Sequence, residues 1–137
     1  MSGRITFDTA VFDGVLARLY DKAVAGAVRG VHDATDDLLR VSRDLAPLEK
    51  GTLRATAWKE VEEADGLVIG DVYYSAVEDG KGGRFNYALY MHEFGGRDEY
   101  ANPTTPGTQP KFLEQPLKMN ADEYKRWVAE EVRKELK

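Results

Sequence analysis

Cysteine is absent from this chain of 137 residues, which excludes disulfide bonds and thiolate metal sites. Histidine is scarce, since His32 and His92 are the two in the sequence. No apolar run approaches the roughly 18 residues of a membrane span, and the N-terminal MSGRITFD lacks the apolar core of a secretion signal. We therefore expect a soluble protein that contacts no membrane and is made in the cytoplasm.

A surplus of positive charge is also absent. The formal net charge is −5, from 19 basic and 24 acidic residues. Binding to a phosphate backbone needs a positive surface, and the aromatic residues do not alternate with basic ones as on a nucleic-acid platform. We expect no sequence-specific contact with nucleic acid. The length is typical of a single domain over residues 1–137.

Helical periodicity dominates the N-terminal third of the chain. After an N-terminal arm over residues 1–8, apolar residues recur at helical spacing from Val11 until Pro47 ends the pattern. Gly26 and Gly30 interrupt it, since glycine is unfavourable inside a helix. The stretch is either one long helix with tight packing near both glycines or two helices with a bend there. We expect this glycine pair to permit a close approach between helix and sheet.

Strand-like segments follow the helix. Leu53–Glu62 and Leu67–Val77 are the two segments, and the second is rich in β-branched and aromatic residues. Asp65–Gly66 between them predicts a hairpin turn, because glycine accepts a positive φ. The stretch NYALYMHEFGG, Asn86–Gly96, is a third strand or a short helix.

The C-terminal third combines a long loop with a helix. Residues 95–110 contain three prolines and three glycines, and a loop of this length in a compact domain is usually functional or disordered. Asn120 and Glu123 resemble a capping box for the helix that follows. The apolar stripe of that helix consists of Tyr124, Trp127, Val128, Val132 and Leu136. The order helix, strands, long loop and helix predicts the α+β class.

The His92–Glu93 pair is the strongest candidate for chemistry. A zinc-protease motif H-E-x-x-H would need a second histidine where Gly96 stands, and His32 is remote in sequence. The pair is therefore interpreted as part of a structural element. The alternative is a small metal-dependent hydrolase that uses His92 and Glu93, with His32 as an optional further residue. Phosphate-loop and nucleophile-elbow motifs are absent from the sequence, so we expect no enzyme activity, no cofactor and no metal.

Three stretches in this order resemble a known family. They are DLAPLEKGTLRATAW (Asp44–Trp58), YALYMHEFG (Tyr87–Gly95) and TQPKFLEQPL (Thr108–Leu117). Together they are similar to the small tail-completion, or neck, proteins of long-tailed phages and prophages, which include minor capsid and tail-component proteins. The resemblance covers about residues 25–135. The family often has an arginine and a Pro-Ala pair after Phe-Leu, where this chain has Glu114–Leu117.

The resemblance implies a structural virion protein at the head–tail junction, made in the host cytoplasm and without catalysis. Such a protein forms a homo-oligomeric ring that connects the filled head to the tail tube, and DNA passes through its channel. Its partners are a stopper or adaptor on the head side and a tail terminator or tail tube on the tail side. A tail terminator or stopper of the same neck is one alternative. A host-directed binding module encoded by a prophage is another.

The resemblance also implies a fold and an interface. A long N-terminal helix and a C-terminal helix would pack on a small antiparallel sheet, with Leu53 in the core. The loop over residues 95–110 would contact neighbouring subunits, since a proline-rich loop loses less entropy when it becomes ordered. The interface hypothesis comprises Tyr87, Glu93, Gly95, Arg97, Tyr100, Pro103, Pro106, Pro110, Phe112 and Leu113.

Overall fold

The computed structural model describes residues 3–6, 9–46, 52–80, 83–93 and 109–137. It has an α+β fold, as the sequence predicts, with a long N-terminal and a long C-terminal helix and small antiparallel sheets. The elements are α1 (Thr9–Leu45), α2 (Thr52–Ala55), β1 (Trp58–Ala64), β2 (Leu67–Tyr73), β3 (Val77–Gly80), β4 (Gly83–Asn86), α3 (Tyr87–Glu93) and α4 (Glu114–Leu136).

Helix α1 is a single helix of 37 residues, about 55 Å long at 1.5 Å per residue. The glycine pair lies where α4 crosses it. A β-carbon on Gly30 would lie 2.5 Å from the Cα of Val128, and one on Gly26 would lie 2.7 Å from the carbonyl oxygen of Glu131. The expected approach between helix and sheet at these glycines is therefore wrong. Their missing side chains let a second helix approach instead.

The sheet approaches α1 on another side, through Gly70 of β2. A β-carbon there would lie 2.5 Å from Cγ1 of Val31 and 2.6 Å from Cγ2 of Thr35. The hydroxyl of Thr35 donates to the carbonyl of Val31 at 2.8 Å, so this buried polar side chain is satisfied within its own helix. Helix α1 thus contacts α4 on one side and the β1–β2 hairpin on another.

The predicted hairpin turn is confirmed. Strands β1 and β2 pair antiparallel from Trp58↔Tyr73 to Ala64↔Leu67. Asp65 and Gly66 between them have φ values of 52° and 80°. Positive φ at both central residues is typical of a type I′ turn, which matches the twist of the flanking strands. Strands β3 and β4 form a second two-stranded sheet.

The predicted strand bounds need correction at two places. Residues Leu53–Ala55 belong to the helical turn α2, and β1 begins at Trp58. The guanidinium of Arg54 donates to the carbonyls of Ala46 at 2.9 Å and Asp44 at 3.4 Å, so it caps the end of α1. Tertiary contacts thus override the local strand preference. The second segment ends as β2 at Tyr73, and Val77 opens β3.

The C-terminal helix also begins earlier than predicted. Helix α4 starts at Glu114, so Asn120 lies inside it and is not its cap. The Asn120 amide donates to the carbonyl of Pro116 at 2.9 Å, four residues back. Pro116 lies in the first turn, where the missing N–H removes no hydrogen bond from the helix. The open choice for Asn86–Gly96 is resolved as helix over Tyr87–Glu93.

One buried cluster near the end of α1 contains side chains from several separate segments of the chain. Its members are Ala46, Leu53, Ala76, Ala88 and Phe112, with Leu45, Tyr74 and Leu113 packed against it. The predicted burial of Leu53 is confirmed at 1% exposure, and Phe112 has the same value. The Tyr74 ring meets Phe112 edge-on at 5.0 Å between centroids, and its hydroxyl lies 2.6 Å from the Ser42 hydroxyl. None of the described helices is long and apolar enough to cross a membrane.

Candidate functional site

His92 occupies the junction where the end of α3 meets the start of α4. The backbone N–H of Glu114 donates to His92 Nε2 at 3.2 Å, and His92 Nδ1 lies 3.0 Å from Glu93 Oε1. Because Nε2 accepts, we assign the ring proton to Nδ1, which donates to the carboxylate of Glu93. Leu113, the residue before α4, makes no side-chain cap. His92 therefore satisfies a free N–H of a helix that its own neighbours leave uncapped.

Lys111 supplies the positive charge at this junction. Its ammonium pairs with the carboxylate of Glu93 and lies 3.4 Å from Glu114 Oε2. Lys118 pairs with the other oxygen of Glu114 at 2.9 Å. The backbone N–H of Lys111 also donates to the carbonyl of His92 at 2.9 Å. These contacts join α3 to the segment that leads into α4.

The charges shift the pKa values of the junction in consistent directions. The hydrogen bond from Lys111, followed by that from His92, lowers the pKa of Glu93 below its usual value. The hydrogen bond from Lys118 and the charge of Lys111 lower the pKa of Glu114. The hydrogen bond to Glu93 raises the pKa of Lys111. Both carboxylates are therefore ionised at neutral pH, and neither is suited to act as a general acid.

Metal ligation is the chemistry that this junction comes nearest to. One nitrogen of His92 and one oxygen each from Glu93 and Glu114 lie within 4.8 Å of one another. Imidazole and carboxylates are ligands that Zn²⁺ accepts. However, both ring nitrogens are engaged, and the ammonium groups of Lys111 and Lys118 already pair with the two carboxylates. A cation would have to displace Lys111, so the arrangement fits an internally paired network better than a metal centre.

His32 does not join this group. It lies on the exposed side of α1, where its Nδ1 is 3.3 Å from the ammonium of Lys59. The third member of the cluster, Glu114, follows Glu93 by 21 positions, and no local pattern predicts their contact. Sequence reasoning therefore identified two members of the cluster and proposed the wrong third one.

An open pocket of about 370 Å³ adjoins the junction, between the end of β2, α3 and the segment before α4. Its titratable lining side chains are Tyr73, Tyr74, His92 and Glu93, beside an apolar wall that includes Phe112. The Phe112 ring lies edge-on to His92, with 5.2 Å between centroids. Among the described residues, no serine, threonine or lysine lines this pocket. The polar groups of this pocket are therefore two phenols, one imidazole and one carboxylate.

The members of the interface hypothesis have different positions. Glu93 and Pro110 are exposed, and Leu113 is half-buried against the core. Phe112 is fully buried, so its side chain anchors the start of α4 and is not a contact surface. The backbone of Tyr87 opens α3. Five further members lie outside the described residues, and their interface role stays a prediction: Gly95, Arg97, Tyr100, Pro103 and Pro106.

Comparison of the chain with protein-family models, with curated proteins and with solved structures finds no match in any of the three. Any functional assignment therefore rests on the residues of this chain and on how the fold arranges them.

Proposed function

We propose that the chain is a structural adaptor of the tail-completion type at the head–tail junction of a long-tailed phage. The observation that carries the proposal is the convergence of the three resembling stretches. Leu53 from the first, Ala88 from the second and Phe112 from the third belong to one buried cluster, although they are far apart in sequence. Stretches that share a core act as one structural unit, which supports treating them as a single signature.

The junction around His92 supports a structural role over catalysis. Its carboxylates are paired with Lys111 and Lys118, and the imidazole holds the first turn of α4. A network of paired charges stabilises a fold, and the lowered pKa values of its two carboxyl groups leave them without a proton to donate at neutral pH. On this reading the protein is not an enzyme and needs no cofactor.

The adaptor acts in the virion as a homo-oligomeric ring, after assembly in the host cytoplasm. Its neighbours are a stopper or adaptor on the head side and a tail terminator or tail tube on the tail side. DNA passes through the channel without sequence-specific contacts, which a chain of net charge −5 favours over tight binding. The loop over residues 95–110 contributes to contacts between subunits.

Deletion of the gene from its phage or prophage tests the proposal. After induction, negative-stain electron microscopy should show filled heads and finished tails lying apart, and a plasmid copy should restore joined particles. Overlong tails would reassign the protein as a tail terminator. Normal joined particles without the gene would overturn the proposal.

A deletion of residues 99–105 tests the loop. We expect the circular dichroism spectrum of the shortened protein to match that of the parent. We also expect the shortened protein not to restore joined particles in the phage that lacks the gene. A control deletion of equal length elsewhere in the chain is not needed, because circular dichroism reports directly whether the shortened protein folds. Joined particles from the shortened protein would remove the loop from the interface.

The metal-dependent hydrolase is the second candidate, and the 4.8 Å cluster of His92, Glu93 and Glu114 is the observation in its favour. Elemental analysis of protein purified in the presence of Zn²⁺ and Mn²⁺ decides it. A stoichiometric metal that is lost in His92→Ala and kept in His32→Ala would support a metal centre. Metal content far below one per chain would reject it.

A further inference from the structure

The described residues present two exposed apolar surfaces, one on α1 and one on the β1–β2 hairpin. The first, the tip stripe, consists of Val15, Leu16 and Leu19 near the start of α1. The second, the outer hairpin face, consists of the side chains of β1 and β2 that point away from α1. Its apolar members are Trp58, Ala64, Leu67, Ile69 and Tyr73, and Trp58 and Leu67 are 59% and 63% exposed. Contiguous exposed apolar surface often marks a protein contact.

The tip stripe continues the face of α1 that binds α4. The two helices run antiparallel, because Gly26 lies against Val132 and Gly30 lies against Val128. Leu19 precedes Gly26 by seven residues, which places both within about 20° of the same side at 100° per residue. If this pairing of residues continues, Leu136 at the end of α4 lies beside Lys22. The tip stripe therefore lies beyond the part of α1 that α4 covers. The face of α1 that α4 covers therefore continues as an exposed apolar stripe, to which another protein surface can bind.

The outer hairpin face is apolar and acidic. Side chains alternate along a strand, so Trp58, Glu60, Glu62 and Ala64 share a face with their partners Tyr73, Asp71, Ile69 and Leu67. The face contains three carboxylates and no basic side chain. The Tyr73 hydroxyl donates to Glu60 at 3.3 Å and joins the aromatic end to this acidic strip. Two such faces would repel each other, which disfavours pairing of like with like.

Charge around the tip stripe complements that face. Arg18 and Lys22 are exposed and flank one side of the stripe. Asp21 lies about 160° around the helix from Leu19, whereas Asp13 lies about 60° from Leu16, on the side of the stripe away from Arg18 and Lys22. The stripe therefore presents an apolar centre whose border is cationic on the side of Arg18 and Lys22. Such a border selects an apolar surface that carries carboxylates.

We propose that the tip stripe of one copy binds the outer hairpin face of a second copy, head to tail. The inference rests on the proposed ring-forming function and names its contact surfaces. The tip stripe cannot bind the outer hairpin face of the same chain. The inner hairpin face packs on α1 at Val31 and Thr35, so the outer face points away from that helix. Since the two surfaces differ, each copy has one of each, and repetition closes a ring or extends a filament.

The size of the surfaces sets the expected strength. Two strands of seven residues make a face roughly 23 Å long at about 3.3 Å per residue. A face of two strands is smaller than the roughly 800 Å² per partner of a stable interface. A single contact should therefore be weak, and association should need high concentration or a template that holds several copies together.

The cysteine-free sequence allows a clean cross-linking test. The double variant Leu16→Cys with Ile69→Cys, oxidised at high concentration or in an induced lysate, should give a ladder of dimers, trimers and higher species. Each single variant should stay largely monomeric. The matched control pairs Ile69→Cys with Ala17→Cys, since exposed Ala17 lies about 160° from Leu19 around the helix. That control should form no ladder.

Charge reversal provides a second readout. Arg18→Glu with Lys22→Glu, added to the cross-linking pair, should slow ladder formation roughly tenfold at low salt. Glu60→Lys with Asp71→Lys on the hairpin should restore it. Dimers from Leu16→Cys alone would indicate contact between two tips and overturn the inference. Absence of a ladder in both concentrated protein and lysate would also overturn it.

The two proposals fail in distinguishable ways. Separate heads and tails after gene deletion, combined with no ladder, would overturn these contact surfaces and leave the neck function standing. Joined particles after gene deletion, combined with a ladder, would overturn the neck function and leave the head-to-tail contact standing.

Discussion

Gly30 of α1 and Val128 of α4 lie so close that a β-carbon on the glycine would come 2.5 Å from the Cα of Val128. The obstructing atom belongs to the backbone of a helix, so rotation of a side chain cannot relieve the clash. Helix α4 would have to move away from α1 along a seam that also contains Gly26. The spacing of the two helices therefore depends on the absence of a side chain at both glycines.

Gly30→Ala should therefore destabilise the protein. Overpacking costs roughly 1–3 kcal/mol, which exceeds the gain of about 1 kcal/mol that alanine brings to a helix interior. Gly14→Ala is the matched control, since a β-carbon there meets nothing within 4 Å, and it should stabilise by up to about 1 kcal/mol. Urea unfolding followed by circular dichroism measures both. Equal gains in the two variants would contradict the close approach.

Leu53→Ala should cost roughly 2–5 kcal/mol of unfolding free energy, because it leaves a cavity in the cluster that joins α1, α2 and α3. The same substitution at exposed Leu67 should change stability by less than about 0.5 kcal/mol. Both variants are compared by urea unfolding at low protein concentration. A small effect at Leu53 would mean that the α2 turn does not enter the core.

His92→Ala should destabilise by roughly 1–2 kcal/mol, because the first turn of α4 loses its acceptor. His92→Gln should recover part of this loss, since an amide oxygen can accept the same N–H. His32→Ala removes the exposed histidine of α1 and should change stability by less than about 0.5 kcal/mol. Thermal unfolding of the three variants measures the effect. Equal losses at both histidines would contradict the capping role.

Tyr124 should make stability fall at alkaline pH. Burial, followed by the 2.8 Å hydrogen bond to Asp37, raises the pKa of Tyr124 above its usual value of about 10. The unfolded chain therefore loses its phenolic proton first, so the stabilisation is complete below about pH 10 and is lost as pH rises above it. Unfolding free energy measured against pH should fall less steeply in Tyr124→Phe. An unchanged slope would contradict the assignment.

A second tyrosine provides the comparison for that slope. Burial also raises the pKa of Tyr74, although its hydrogen bond with Ser42 partly offsets the shift. Adding Tyr74→Phe to the Tyr124→Phe variant should therefore reduce the fall of unfolding free energy at alkaline pH further. The two rings lie in different clusters, one against Phe112 and the other against Trp127, so their effects should add.

Local patterns predicted the elements whose shape depends on near neighbours in sequence. The helical periodicity of α1 and the Asp65–Gly66 turn are of this kind, because periodicity and positive φ are properties of short segments. Predictions failed where a distant contact decides the conformation. Arg54 reaches back to the end of α1 and turns a strand-like segment into α2, and Asn120 resembles a cap only until the true start of α4 is known.

For the candidate site, too, the sequence predicted the part that depends on neighbouring residues and missed the part that depends on distant contacts. His92 and Glu93 are adjacent, so the sequence by itself identified them as a pair, and the absence of cysteine determined which ligand chemistry was open to them. Only the tertiary structure decided that Glu114 joins them and that Lys111 pairs with both carboxylates. Contacts across 18 or more positions leave no periodic trace in a sequence, since packing of α3 against the start of α4 creates them.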